Sequence, residues 1–147
     1  MDELITLSGD SLPLGARVLA FTGIERISSP YVYEVFVHVP VDEGLELELE
    51  DLLHQPVTLQ LLDLELTVRT QIHGVLGTVQ YLHALPGGVL LRVTLGPLFA
   101  LLRESVHARV WVDKSSPEIL EDVLKKATLR GKYELRLSGT YKPRAHV

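Results

Sequence analysis

Apolar positions recur every second residue through most of this chain and every third or fourth residue through one short stretch, so strands dominate the prediction. Residues 3–7 read as a first strand, followed by a polar Gly/Pro loop over 8–15. Residues 17–27 are extended, with Ser28-Ser29-Pro30 as the turn into a strand over 31–39. In that strand Tyr31, Tyr33, Val35, Val37 and Val39 alternate with Val32, Glu34, Phe36 and His38. Apolar residues on both faces predict a central strand of a barrel, or of a sheet covered on both sides. Residues 42–53 are acidic and leucine-rich: the first half alternates like a strand, and 49–53 suits a short helix ending before Pro56. Residues 57–62 and 64–69 are strand-like on either side of a turn at Asp63. Pro86-Gly87-Gly88 is the clearest hairpin signal, joining 71–85 to 89–95. Gly74 and Gly77 inside the first arm predict a bulge or bend. Gly96-Pro97 stops the second arm, 98–103 reads as a helical turn, and 108–112 as another strand. Short strands with turn signals every 8–12 residues point to a mainly β, barrel-like fold.

The helical period is confined to 115–127. Ser115 as N-cap, Pro117 in the first turn and Glu118 three residues after the cap make a capping-box pattern. Ile119, Leu120, Val123, Leu124 and Ala127 share one face. Acids come early and Lys125 and Lys126 late, which suits the helix dipole. Gly131 ends the segment, and Tyr133, Leu135 and Leu137 alternate with Glu134, Arg136 and Ser138 as a half-buried strand. The fold class expected is therefore mainly β, with one clear α-helix and one or two short helical turns.

Composition sharpens this picture. The 147 residues are 46% hydrophobic and mean hydropathy is +0.20, apolar enough to suggest a surface covered by a partner. No apolar run approaches the roughly 20 residues of a membrane helix. Cysteine is absent, which excludes disulfides and thiolate metal sites. The N-terminus MDELITLSGD lacks the basic and apolar regions of a secretory signal, so synthesis in the cytoplasm without a signal peptide is expected. Charge is segregated: residues 1–124 hold 7 basic and 18 acidic side chains, net −11, and residues 125–147 hold 7 and 1, net +6. That polarity suits head-to-tail matching between subunits, and equally a plain solvated surface; it does not suit nucleic acid.

Chemistry finds little foothold. His38, His54, His73, His83, His107 and His146 show no metal-ligand spacing. The acids over 42–51 lack the spacing and glycine of a calcium loop. Neither a nucleophile elbow nor a phosphate-binding glycine loop occurs. No catalytic, cofactor-binding or metal residue is assigned, and no cofactor is expected. Trp111 reads either as a core aromatic holding the helix or as an interface anchor.

Three motifs carry a resemblance: D-K-S-x-P-E-I from Asp113 to Ile119, Y-E-L-R-L-S-G-x-Y-x-P-R from Tyr133 to Arg144, and S-P-Y-x-Y-E-V from Ser29 to Val35. In their order and spacing, over roughly residues 4–144, they resemble the N-terminal region of VgrG, the spike protein of type VI secretion systems. That region is similar in turn to phage tail hubs. The resemblance implies barrel-like hub domains, paired in each chain, whose six copies in a trimer form a pseudo-sixfold ring. The ring docks on a hexameric inner tube, effector or baseplate proteins are further partners, and the role is mechanical rather than enzymatic. It also implies delivery through the secretion machine. Residues 1–96 would be one hub domain and 97–147 the start of a second, incomplete one, as in a fragment or truncated relative. Candidate interface residues are the acidic Glu43, Glu46, Glu48, Glu50 and Asp51, Trp111, the basic Lys125, Lys126, Arg130 and Lys132, and Tyr141 and Arg144 near the end. A phage or prophage tail-hub protein is the alternative within this class. A small β-barrel that binds a ligand or hydrolyses with a metal is the alternative outside it.

Overall fold

The computed structural model describes residues 4–41, 47–104, 106–127, 129 and 132–147. It divides into two compact units, Met1–Ala100 and Leu101–Val147.

In the first unit six antiparallel strands form one curved sheet. They are β1 (Ile5–Ser8), β2 (Arg17–Arg26), β3 (Ser29–Pro40), β4 (Pro56–Leu62), β5 (Val68–Leu85) and β6 (Gly88–Gly96), in spatial order β1-β4-β5-β6-β3-β2. β1 and β2 approach one another but share no ladder, so the sheet is a half-barrel with two edges. Period-two alternation decides its inside. Tyr33, Val35, Val37 and Val39 of β3 face Leu91, Val93 and Leu95 of β6, and Leu7, Val57, Leu59, Ile72 and Leu76 complete the core. Val35, Val39, Leu59 and Leu95 are fully buried. The other face of β3, carrying Val32, Glu34, Phe36 and His38, stays partly exposed, so this strand is covered on one side only.

Glycines set the curvature. The ladder between β5 and β6 slips between Leu76 and Thr78, which places the expected bulge at Gly77. A Cβ at Gly74 would collide with the Gly96 carbonyl, so only glycine lets these backbones approach. Leu49–Leu52 forms a 3-10 turn that buries Leu52, and Leu98–Glu104 forms a second.

Several sequence expectations need correction. The β2–β3 turn is Ile27-Ser28, with Ser28 at φ 62°, and Ser29 and Pro30 already belong to β3. Residues 64–67 are not strand. The Asp63 carboxylate accepts the N–H groups of Glu65 and Thr67, both at 2.9 Å, and pairs with Arg69 at 2.6 Å. These side-chain bonds compete with a ladder and hold the loop, with Leu66 at φ 59°, until Val68. The alternating half of the acidic stretch, 42–46, lies outside the described residues.

The second unit contains α1 (Ser116–Lys126) and a two-stranded sheet of β7 (Val112–Lys114) and β8 (Arg144–His146). Residues 108–111 are not strand. Pairing begins at Trp111, which exchanges backbone hydrogen bonds with Val147 at 3.1 and 3.0 Å. Residues 133–138 are not strand either: Tyr133 and Leu135 are half-buried between exposed neighbours, so the alternation survives, but no ladder partner among the described residues fixes it. Gly131 lies outside the described residues.

Candidate interaction surfaces

The S-P-Y-x-Y-E-V motif builds one end of the half-barrel. Tyr31 and Tyr33 point inward from β3 with ring centroids 6.0 Å apart, edge to face, and Phe21 of β2 stacks at 6.3 Å from Tyr33. A Cβ at Gly23 would run into the Tyr33 ring, so the ring lies over the glycine backbone. The Tyr31 hydroxyl donates to the His73 carbonyl on β5, and the Tyr33 hydroxyl donates to Glu25 Oε1 at 2.5 Å. The hydrogen bond to Glu25, and then burial, push the Tyr33 phenol up to about 12. His73 Nδ1 also meets Thr58 Oγ1 of β4 at 3.0 Å. These bonds tie β2, β3, β4 and β5 together where no β1–β2 ladder does.

The other end of the same inner face is open. Val41, Leu47, Glu48, Leu49, Tyr81, Val89 and Leu91 line a groove of about 390 Å³. Among the described lining residues Glu48 is the charged one, and the neighbouring Glu50 and Asp51 of the 3-10 turn are exposed. Thus three of the five acids expected at an interface sit on or beside an apolar groove. Glu43 and Glu46 lie outside the described residues. Sequence reasoning found the acids but missed the groove, because its walls come from four separated segments that share no periodic signal.

The outer face of β3, β5 and β6 carries a cross-strand polar row. Arg92 donates to Gln80 Oε1 at 2.5 and 3.1 Å and lies 3.7 Å from Glu34. Thr78 and Thr94 pair at 2.8 Å in the next row. Such rows are internally satisfied and at best marginally stabilising.

In the second unit the D-K-S-x-P-E-I motif is a helix start. Glu118 Oε2 accepts both the backbone N–H and the hydroxyl of Ser115 at 2.7 Å, which holds its carboxyl below the usual range. Trp111 is half-buried and its indole N–H donates to Asp122 at 3.1 Å, so it anchors the segment before β7 to α1. Lys126 pairs with the same carboxylate at 2.8 Å, and Lys125 with Glu121 at 3.0 Å. Both lysines of the expected basic end are therefore already engaged on their own helix. Lys132 and Tyr141 are exposed, Arg144 is exposed within β8, and Arg130 lies outside the described residues. Among the described residues no three His, Asp or Glu side chains gather as a metal ion would require. No helix among them is long and apolar enough to cross a membrane.

The profile of the phage tail baseplate hub family (GPD) matches residues 24–147, which include all three motifs. No curated protein matches the chain. Among solved structures, the E. coli c3393 protein aligns over 97% of this chain at 25% identity and a TM-score of 0.72. It is described as a component of the type VI secretion system with structural similarity to the T4 bacteriophage tail proteins gp27 and gp5. The alignment covers 38% of that protein, so this chain spans well under half of its length. With the profile covering most of the sequence and the fold agreeing, the chain belongs to the phage tail baseplate hub family and has the VgrG-like tail-hub architecture.

Proposed function

We propose that this chain is a structural hub module of a contractile injection machine, the base of a type VI secretion spike, which acts by assembly rather than by catalysis. It assembles as a trimer, docks on a hexameric inner tube, and travels out with the spike. The observation that carries this reading is a hub-family half-barrel whose sheet ends in two edge strands instead of closing. An unpaired edge is a ready template for pairing with another chain unless it is blunted or covered. Segregated charge supports the same reading: the unit to residue 100 carries 4 basic and 13 acidic side chains, and the unit from 101 carries 10 and 6. Residues 97–147 then begin a second hub domain.

The test is light scattering of the protein alone and mixed with the tube protein. Reversing Lys125, Lys126, Arg130 and Lys132 to glutamate is expected to weaken self-association or tube binding. Unchanged mass and tube binding in that variant would remove the charge-matching part. Failure of the unaltered protein to associate with itself or the tube would remove the hub reading. A phage tail hub is the second reading, favoured by the family profile itself.

A further inference from the structure

Strand β5 is shared by two ladders that scarcely overlap. β4 pairs with its residues 68–75 and β6 with its residues 75–85, so the ladders meet only at Val75. The half-barrel is thus a three-stranded piece joined to a four-stranded one. The first holds β1, β4 and the start of β5; the second holds the rest of β5 with β6, β3 and β2. Gly74 and Gly77 flank the join. There the ladder slips between Leu76 and Thr78, and the Thr78 N–H donates to the Thr94 hydroxyl at 2.9 Å. Glycine beside a bulge marks a barrel corner, and a few such residues can absorb the backbone change of a hinge.

The two pieces are not held alike. In β3 and β6, Val35, Val37, Val39, Leu91, Val93 and Leu95 are none of them more than 1% exposed. The three-stranded piece lends Leu7, Val57, Leu59 and Ile72 to the same core, and of these only Leu59 is fully buried. Local opening begins where buried apolar contact is thinnest. A polar tie spans the join, because the Tyr31 hydroxyl of β3 donates to the His73 carbonyl of β5, next to Gly74. The Tyr31 ring rests on Tyr33 of its own strand, centroids 6.0 Å apart, so its place is set from the four-stranded side. At the outer edges β1 and β2 approach one another without a ladder.

We infer that β1, β4 and residues 68–74 open as one flap about Gly74–Gly77, with the Tyr31–His73 hydrogen bond as its latch. Opening carries β1 away from β2 and widens the half-barrel, so the curvature of the sheet is adjustable. The device lies within the first unit and needs no partner. Its test is therefore separate from that of the assembly proposed above.

Native amide hydrogen exchange decides the matter, measured on the unaltered protein beside Tyr31→Phe and Tyr33→Phe. In the unaltered protein the amides of β1, β4 and 68–74 are expected to share one opening, about tenfold more frequent than that of β3 and β6. Tyr31→Phe keeps the ring and removes the donor. Flap exchange is then expected to rise about tenfold further while β3 and β6 stay within about twofold. Tyr33→Phe loses a bond to Glu25 that lies inside the four-stranded piece, and is expected to leave flap exchange unchanged. A single opening common to all six strands would overturn the flap. Flap exchange unmoved by Tyr31→Phe would overturn the latch. An equal rise in Tyr33→Phe would also overturn it, by marking general destabilisation.

Discussion

The two units of this protein hold their strands by different means. In the unit to residue 100, β3, β4 and β6 alternate against a shared core in which Leu59, Val35 and Leu95 have no exposure, while β2 lends only the half-buried Val18 and Phe21. In the unit from 101, alternation is equally clear in the sequence over 133–137, yet among the described residues only Leu124, Leu129 and Ser115 are buried and the sheet has two short strands. A hydrophobic pattern thus becomes a strand only where a ladder partner and a core await it. A two-stranded ribbon by itself is marginal in water. The comparison teaches that the first unit supplies rigidity and the second supplies capped, charged and unpaired surface.

The sharpest way to break this contrast is a pair of leucine truncations. Leu91→Ala, at 1% exposure, is expected to cost about 2–5 kcal/mol and to raise amide exchange through all six strands of the half-barrel. Leu124→Ala, at 4% exposure in α1, is expected to loosen α1 alone. Equal loss of barrel protection in both variants would mean that the two units are one cooperative body.

Gly74→Ala tests the curvature. Because its new Cβ meets the Gly96 backbone carbonyl rather than a yielding side chain, a loss of about 1–3 kcal/mol is expected in urea unfolding followed at the barrel. Wild-type stability would mean that the sheet bends without this close approach.

The Tyr33–Glu25 link predicts alkaline sensitivity confined to the first unit. With the phenol raised from 10.0 to about 12, the folded state holds a proton that the unfolded chain loses between those values. The stability is complete below pH 10 and falls as pH rises toward 12. Burial also raises the Tyr31 phenol, so spectrophotometric titration should show more than one late tyrosine, and Tyr33→Phe should remove one of them together with the barrel's extra alkaline loss.

Acid probes the second unit through its cap. The Ser115 bonds hold Glu118 below its ordinary 4.5, so its stabilisation is complete above that value and is lost as pH falls through the lower folded one. Helix α1 should fray in acid before the barrel does, and Glu118→Gln should fray at neutral pH. Ser115→Ala is expected to cost about 1 kcal/mol, seen as faster exchange in the first turn of α1. The smallest effect expected is Lys126→Ala, about 0.3–0.5 kcal/mol for an exposed i,i+4 pair, leaving the barrel untouched.

Much of the fold was legible. The Pro86-Gly87 hairpin, the bulge at Gly77, the capped helix and the helical turns at 49–52 and 98–104 all follow from local chemistry. Ser29 and Pro30 entered a strand instead of a turn because Ser28 alone adopts the positive φ that a two-residue connection needs. Residues 64–67 were lost to strand because Asp63 captures their N–H groups. Charge runs singled out Glu48, Glu50 and Asp51, which lie on or beside the groove, and Lys125 and Lys126, which pair with Glu121 and Asp122 of their own helix.

The sequence by itself determined the strand-rich class, the helix and its cap, and the tail-hub motifs, because period, capping and turn chemistry act over a few neighbouring residues. Only the tertiary structure decided that the sheet stops at a half-barrel, that Tyr31 reaches His73, and that Val41, Leu49, Tyr81 and Val89 enclose a groove. Those outcomes depend on residues tens of positions apart meeting across the sheet. The order of strands that brings them together is set by the whole core, not by any one segment.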